Sequence, residues 1–204
     1  MNNFFYKKIR KLNSATNLLV TILLTVIAVA VNYSGAILAE KFVIPLYLDT
    51  ILTIAIATVC GFVPAVICAF CSSFALSLFS QSPAIFSICH IITALLASLV
   101  FCYYDNKKEF AVYPIYCFLW AGFWSALSNG LVGDIIAYFV FRGNTGRPSA
   151  NVVVQGIYSA WPNLAFATNF GRLLENIADK ILNAVLSYLL YRLVSFFCKE
   201  KLFR

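Results

Sequence analysis

Charged and amide side chains recur at helical spacing toward the carboxyl end of the chain. Arg172, Glu175, Asn176, Asp179, Lys180, Asn183 and Ser187 follow i, i+3, i+4, i+7, i+8, i+11 and i+15, which is one face of a helix. The opposite face is Leu173, Leu174, Ile177, Ile181, Leu182 and Val185. Carboxylates, an ammonium and amides on one stripe can hold a small polar molecule through charge-assisted hydrogen bonds. The same stripe also reads as Glu175, Asp179 and Lys180 pairing with one another near lipid headgroups, where long side chains reach water cheaply. Asp49, Thr50 and Thr53 share a second helical face. Because Phe42–Leu48 is already apolar, Asp49 is expected inside that helix; an N-cap is the alternative. Asn129 and Asp134 are polar positions in a long apolar run, and His90 is the only histidine.

Other chemistries find less support. One histidine makes no histidine-based metal cluster, and no metal or cofactor is expected; a cation held by Asp, Glu and His groups at the outer sites is the lesser alternative. Cys68-x-x-Cys71 lies within an apolar run and reads as small packed residues, not as a redox or zinc motif. No P-loop or other nucleotide motif occurs, so the chain does not power anything alone. Gly122, Ala126, Gly130 and Asp134 form one ridge, and Ala121, Ser125, Asn129 and Gly133 the next; such ridges let helices pack closely.

The elements that must position these residues follow from composition. The chain has 204 residues, 62% hydrophobic and 11% charged, with a mean hydropathy of +0.86. Soluble domains carry roughly 25% charged residues, so an ordinary soluble domain and a disordered chain are excluded. Seven cysteines, an odd number scattered through apolar runs, make no disulfide framework. A spanning helix takes about 20 apolar residues, and the apolar runs predict an all-α bundle of six transmembrane helices in one domain, 1–204. The predicted spans are 15–31, 44–60, 64–79, 85–103, 112–141 and 173–197. The second and third are short, and the fifth should project from the membrane or break near Gly130 and Gly133.

Charge orients them. With the amino terminus inside, Lys7, Lys8, Arg10, Lys11, Lys107, Lys108, Arg192, Lys199, Lys201 and Arg204 face the cytoplasm against Asp105, Glu109 and Glu200. The outer side pairs Lys41, Arg142, Arg147, Arg172 and Lys180 with Glu40, Asp49, Asp134, Glu175 and Asp179. The whole net charge of +7 thus falls inside, as the positive-inside rule expects for a plasma-membrane protein with both termini cytoplasmic. Nucleic acid is not needed to explain it. Two alternatives stay open: a seventh span at 151–168, and cleavage of the first span after Ser34-Gly35-Ala36.

This topology carries Asp49, His90, Asn129, Asp134 and the stripe from Glu175 to Asn183 to the outer half of the bundle, while the inner halves hold almost no polar groups. That pattern describes a pocket open to the outside. The outer loop 142–171 is long and contains Tyr158, Trp161, Pro162, Asn163 and Asn169, residues suited to a lid. Trp161 reads equally as cover for a ligand or as an interfacial belt residue.

Pro45-Leu46-Tyr47-Leu48-Asp49-Thr50-Ile51-Leu52-Thr53 resembles the start of the second helix in S components of energy-coupling factor (ECF) vitamin transporters. Asp179-Lys180-Ile181-Leu182, followed by an apolar helix with Tyr188, is similar to the last helix of that family. The resemblance implies a non-enzymatic subunit that binds a vitamin-like molecule at its outer face, with a weak lead toward riboflavin. It implies docking on a membrane scaffold subunit carried by two ATPases. Docking in that family uses an Ala-x-x-x-Ala ridge on the first helix, to which Thr21, Thr25 and Ala28, then Asn32 and Ala36, correspond here only imperfectly. The binding set expected from residues and resemblance is Asp49, Thr50, Thr53, His90, Asn129, Asp134, Trp161, Asn163, Glu175, Asn176, Asp179, Lys180 and Asn183. Two rival classes are a membrane sensor whose signalling domain lies elsewhere, and an intramembrane enzyme using Asp179, Glu175 or His90.

Overall fold

A computed structural model describes residues 14–79, 83–107, 112–142 and 148–197. Among these residues the fold is all-helical: α1 (Ser14–Lys41), α2 (Ile51–Cys60), α3 (Phe62–Phe79), α4 (Ser87–Lys107), α5 (Ile115–Phe139), α6 (Pro148–Ala160) and α7 (Leu164–Phe197), with a 3-10 turn at Ala84–Phe86. α1, α3, α5 and the segment joining the 3-10 turn to α4 are each long and apolar enough to cross a membrane.

The helices are inside out relative to those of a soluble protein. The buried face of α1 is Asn17, Thr21, Thr25, Ala28, Asn32, Ala36 and Ala39. Its exposed face carries Leu18, Leu19, Ile22, Leu23 and Val26. Large apolar groups outward and small or polar groups inward are what a lipid solvent selects, because burial of apolar area gives no drive there and close backbone packing does. The crossing of α5 and α7 shows the same rule. A Cβ on Gly122 would lie 2.7 Å from the Lys180 carbonyl oxygen and 2.8 Å from the Ala184 Cβ. Leu173 packs on Gly130 somewhat less tightly, with its Cδ1 3.0 Å from where a Cβ would stand.

Two sequence expectations are corrected, and one of two alternatives is removed. The second span does not form a helix across 44–60: α2 has only 10 residues, about 15 Å of rise, half a hydrocarbon core. Residues 45–50 ahead of it are non-helical, so Asp49 lies outside the helix, and Thr50 is the N-cap residue without a side-chain capping bond. Backbone of this kind survives at membrane depth only when protein satisfies it. Here Asp179 does so, as described below. α5 runs unbroken through Gly130 and Gly133, whose neighbours are the packing surfaces of α7 and α4. The stretch 142–171 is not a structureless lid, since it holds α6 and the first turns of α7. Pro148 opens α6, and Asn163 caps α7 by accepting a bond from the Phe166 N–H at 3.0 Å. At 13 residues, α6 is too short for a seventh span.

At one end of the bundle the short α2 leaves room beside α3, α4, α5 and α7. The other end is filled. Phe101 and Phe118 meet edge to face with centroids 4.9 Å apart, and Tyr188 and Tyr191 close on Phe118 at 5.6 and 5.4 Å. Gly61, at φ 91°, makes the tight turn that sends the chain back from α2 into α3.

Candidate functional site

The site is organised by Asp179, fully buried on α7. Its Oδ1 accepts two successive backbone N–H groups, from Tyr47 at 2.9 Å and Leu48 at 2.7 Å. Leu48 adopts the left-handed conformation, φ 47°, so that neighbouring N–H groups converge on one oxygen. That conformation costs a non-glycine residue about 1–2 kcal/mol, offset by two charge-assisted bonds. The other carboxylate oxygen of Asp179 accepts from Lys180 Nζ at 2.8 Å and from Asn183 Nδ2 at 3.1 Å. Asn183 also donates to Thr50 Oγ1 at 3.0 Å, while Ser187 bonds the Ile51 carbonyl one helical turn further on. α7 therefore fixes the whole approach to α2.

Asp49, delivered by this approach, faces two cationic or imidazole groups. Lys180 Nζ lies 3.2 Å from its Oδ1, and His90 Nε2 lies 2.6 Å from its Oδ2. Lys180 completes its set of three by donating to Thr50 Oγ1 at 3.0 Å. Nearer the end of the bundle, Arg172 donates to Glu175 Oε2 at 3.3 Å and to the Tyr47 hydroxyl at 3.2 Å, and that hydroxyl donates to Glu175 Oε2 at 3.0 Å. Arg172 also reaches Asn151 Oδ1 at 3.2 Å, tying α6 to α7. Buried charges of this kind persist because each is paired and hydrogen-bonded.

Beside the cluster lies a cleft that opens to solvent and encloses about 50 Å³. Leu76, Pro83 and Phe86 give it apolar walls; Asp49, His90, Asn129, Arg172, Asn176 and Lys180 give it polar ones. A largely apolar cleft with a few placed polar groups is the usual form of a small-molecule site. Asn129 is held by donating to Thr93 Oγ1 at 2.8 Å, and Asn176 by donating to the Arg172 carbonyl at 2.9 Å.

The structure thus gathers Asp49, Thr50, His90, Asn129, Glu175, Asn176, Asp179, Lys180 and Asn183 from the expected set. Asp134 is half-buried on the turn next to the lining residue Gly133. Thr53 belongs elsewhere. Its Oγ1 accepts from Asn32 Nδ2 at 2.9 Å, in a clamp where Asn32 also donates to Ser72 at 3.3 Å and accepts from the Leu52 N–H at 2.8 Å. Asn163 is the exposed cap of α7. Trp161 is 65% exposed, with its ring 6.4 Å from that of Phe166, and does not line the cavity. The wall at the mouth comes instead from Pro83, Phe86 and Ser87. Thr21, Thr25 and Ala28 are 5%, 8% and 0% exposed, so the expected docking ridge is covered by the chain's own helices.

Tyr47, Ser73, Thr93 and Arg172 were absent from the expected binding set. Tyr47 stands in the same run as Asp49, and Arg172 is the first residue of the polar stripe, so both had a signal. Ser73 and Thr93 had none, since small hydroxyl residues are common in packed membrane helices. The chain matches no protein-family model, no curated protein and no solved structure.

Proposed function

We propose that the chain is a substrate-binding membrane subunit of the ECF S-component type, with six crossings and both termini in the cytoplasm. It captures a vitamin-like small molecule at its outer face and passes it to a membrane scaffold subunit driven by two ATPases. The observation that carries this reading is the cavity at one end of the bundle, walled by paired charges from the 47–50 segment, α4 and α7. The aromatic packing of Phe101, Phe118, Tyr188 and Tyr191 at the other end argues for a binding site and against an open channel. The net charge of +7 supports the orientation, because it falls on the segments at the aromatic end and on the two chain termini. α2 and α7 serve as crossings in combination: α2 through its extended lead, and α7 with its charges turned inward.

Purification of the tagged chain from its own cells in mild detergent, followed by native mass spectrometry, tests this reading. It expects a bound small molecule on the chain and a larger species containing one further membrane subunit and two ATPase copies. An empty chain accompanied by a kinase or phosphatase would contradict it and favour a sensor.

A further inference from the structure

The charges around the cavity do not balance. Asp49, Asp179 and Glu175 are buried with Lys180, Arg172 and His90. With His90 as imidazolium this group is neutral; with His90 as imidazole it carries one negative charge. Asp134 adds a further carboxylate, half-buried, whose Oδ1 has no hydrogen-bond partner. The charges of Arg172 and Glu175 both act on it, and both are already counted. Among the described residues, and with Asp134 ionised, the group holds an excess of one or two negative charges at a depth where isolated charge is expensive.

A second observation is independent of charge. Among the residues lining the cavity, Asn129 Oδ1, His90 Nδ1 and Ser73 Oγ lack partners, on side chains 2%, 5% and 7% exposed. The orientation of Asn129 is fixed by its neighbours. Thr93 spends its own hydrogen on the Cys89 carbonyl at 3.1 Å, so it accepts from Asn129 Nδ2 and leaves Oδ1 as a bare acceptor. A buried acceptor without a donor costs about 1–3 kcal/mol, and neutralising Asp134 would not supply one. An inorganic ion needs several oxygens converging at about 2.0–2.6 Å. These atoms instead border a cavity whose remaining wall is Leu76, Pro83 and Phe86, which suits an organic body.

We propose that the cavity takes a small organic cation bearing N–H donors, such as an amidinium, guanidinium or protonated amine on a flat apolar body. Its positive end lies against Asn129 and Gly133 beside Asp134, and its body lies against Phe86 and Leu76. The proposal rests on the binding reading above and names the class of substrate. The probes are benzamidinium, benzamide and benzoate, which share a ring and differ in charge. Each is titrated onto the purified full chain by native mass spectrometry, and molecules retained through purification are released and identified. Benzamidinium should bind at least about tenfold more tightly than the other two, the worth of one charge-assisted hydrogen bond. Asp134→Asn, which removes an unpaired carboxylate and should leave thermal unfolding unchanged, should bring that preference close to parity. A retained molecule with a cationic nitrogen supports the proposal even where the probes fail to bind. Equal or tighter binding of benzamide or benzoate, or a preference unchanged in Asp134→Asn, overturns it. A retained molecule without a cationic nitrogen overturns this proposal and leaves the binding reading intact. An empty chain that takes up none of the probes removes both.

Discussion

Lys180 Nζ lies 3.2 Å from Asp49 Oδ1, joining positions 131 residues apart and closing α7 onto the segment that precedes α2. The same ammonium bonds Asp179 at 2.8 Å, so one cation holds two buried carboxylates. Lys180→Met would leave both without it, at a cost of about 3–5 kcal/mol, because a buried charge loses its partner. Thermal unfolding in detergent should show a large fall for Lys180→Met and a smaller one for Asp179→Asn/Lys180→Met. Additive losses in the double variant would mean that the two residues do not act as a unit.

Asn32 joins α1 to α2 and α3 through Thr53, Ser72 and the Leu52 N–H. Asn32→Leu keeps the size but leaves that buried N–H without an acceptor, so a loss of about 1–3 kcal/mol is expected. Ligand occupancy of the surviving folded protein should be retained, since Asn32 does not line the cavity. Unchanged stability would show that the clamp contributes nothing.

Two helical glycines separate close packing from mere tolerance. Gly122→Ala places a Cβ 2.7 Å from the Lys180 carbonyl and should lower stability and disturb the charge cluster. Gly156→Ala meets nothing within 4 Å and should raise stability by about 0.5–1 kcal/mol, the usual gain for alanine over glycine in a helix. Equal effects of the two substitutions on unfolding would contradict the packing described for α5 on α7.

The polar stripe on α7 was legible because a helix displays every third or fourth residue on one face, and all of its members from Arg172 to Ser187 are buried together. The ridge of small residues on α5 was legible for the same reason. The approach to α2 was not. Phe42–Leu48 looks like a membrane helix locally, but the Tyr47 and Leu48 N–H groups are claimed by Asp179, 131–132 residues away, and no local pattern reports that. The direction in which α1 faces was also hidden. A stripe of Thr21, Thr25 and Ala28 suits a partner helix or the chain's own bundle equally well, and here it packs inward. Thr25→Trp should therefore impair folding itself instead of selectively removing a partner.

Topology is open to direct labelling. In a cysteine-free background of the whole chain, Trp161→Cys should react with a membrane-impermeant maleimide in intact cells, because Trp161 is exposed at the cavity end. Lys107→Cys, at the far end of α4, should react only after permeabilisation. Reversed labelling would overturn the proposed orientation, and labelling of both from outside would overturn the crossing of α4.

The central claim, that the cavity beside the charge cluster is a binding site, is tested most directly by the ligand occupancy of purified protein in native mass spectrometry. Wild type should carry a small molecule, and Val152→Ala, on the exposed face of α6, should carry it equally. Asn129→Leu and Asn176→Leu, which replace polar groups of the cavity wall, should each lower occupancy by about tenfold or more while remaining monodisperse, the loss of one buried hydrogen bond. Well-folded Asn129 and Asn176 variants with full occupancy, or a wild-type chain that purifies empty, would contradict the account.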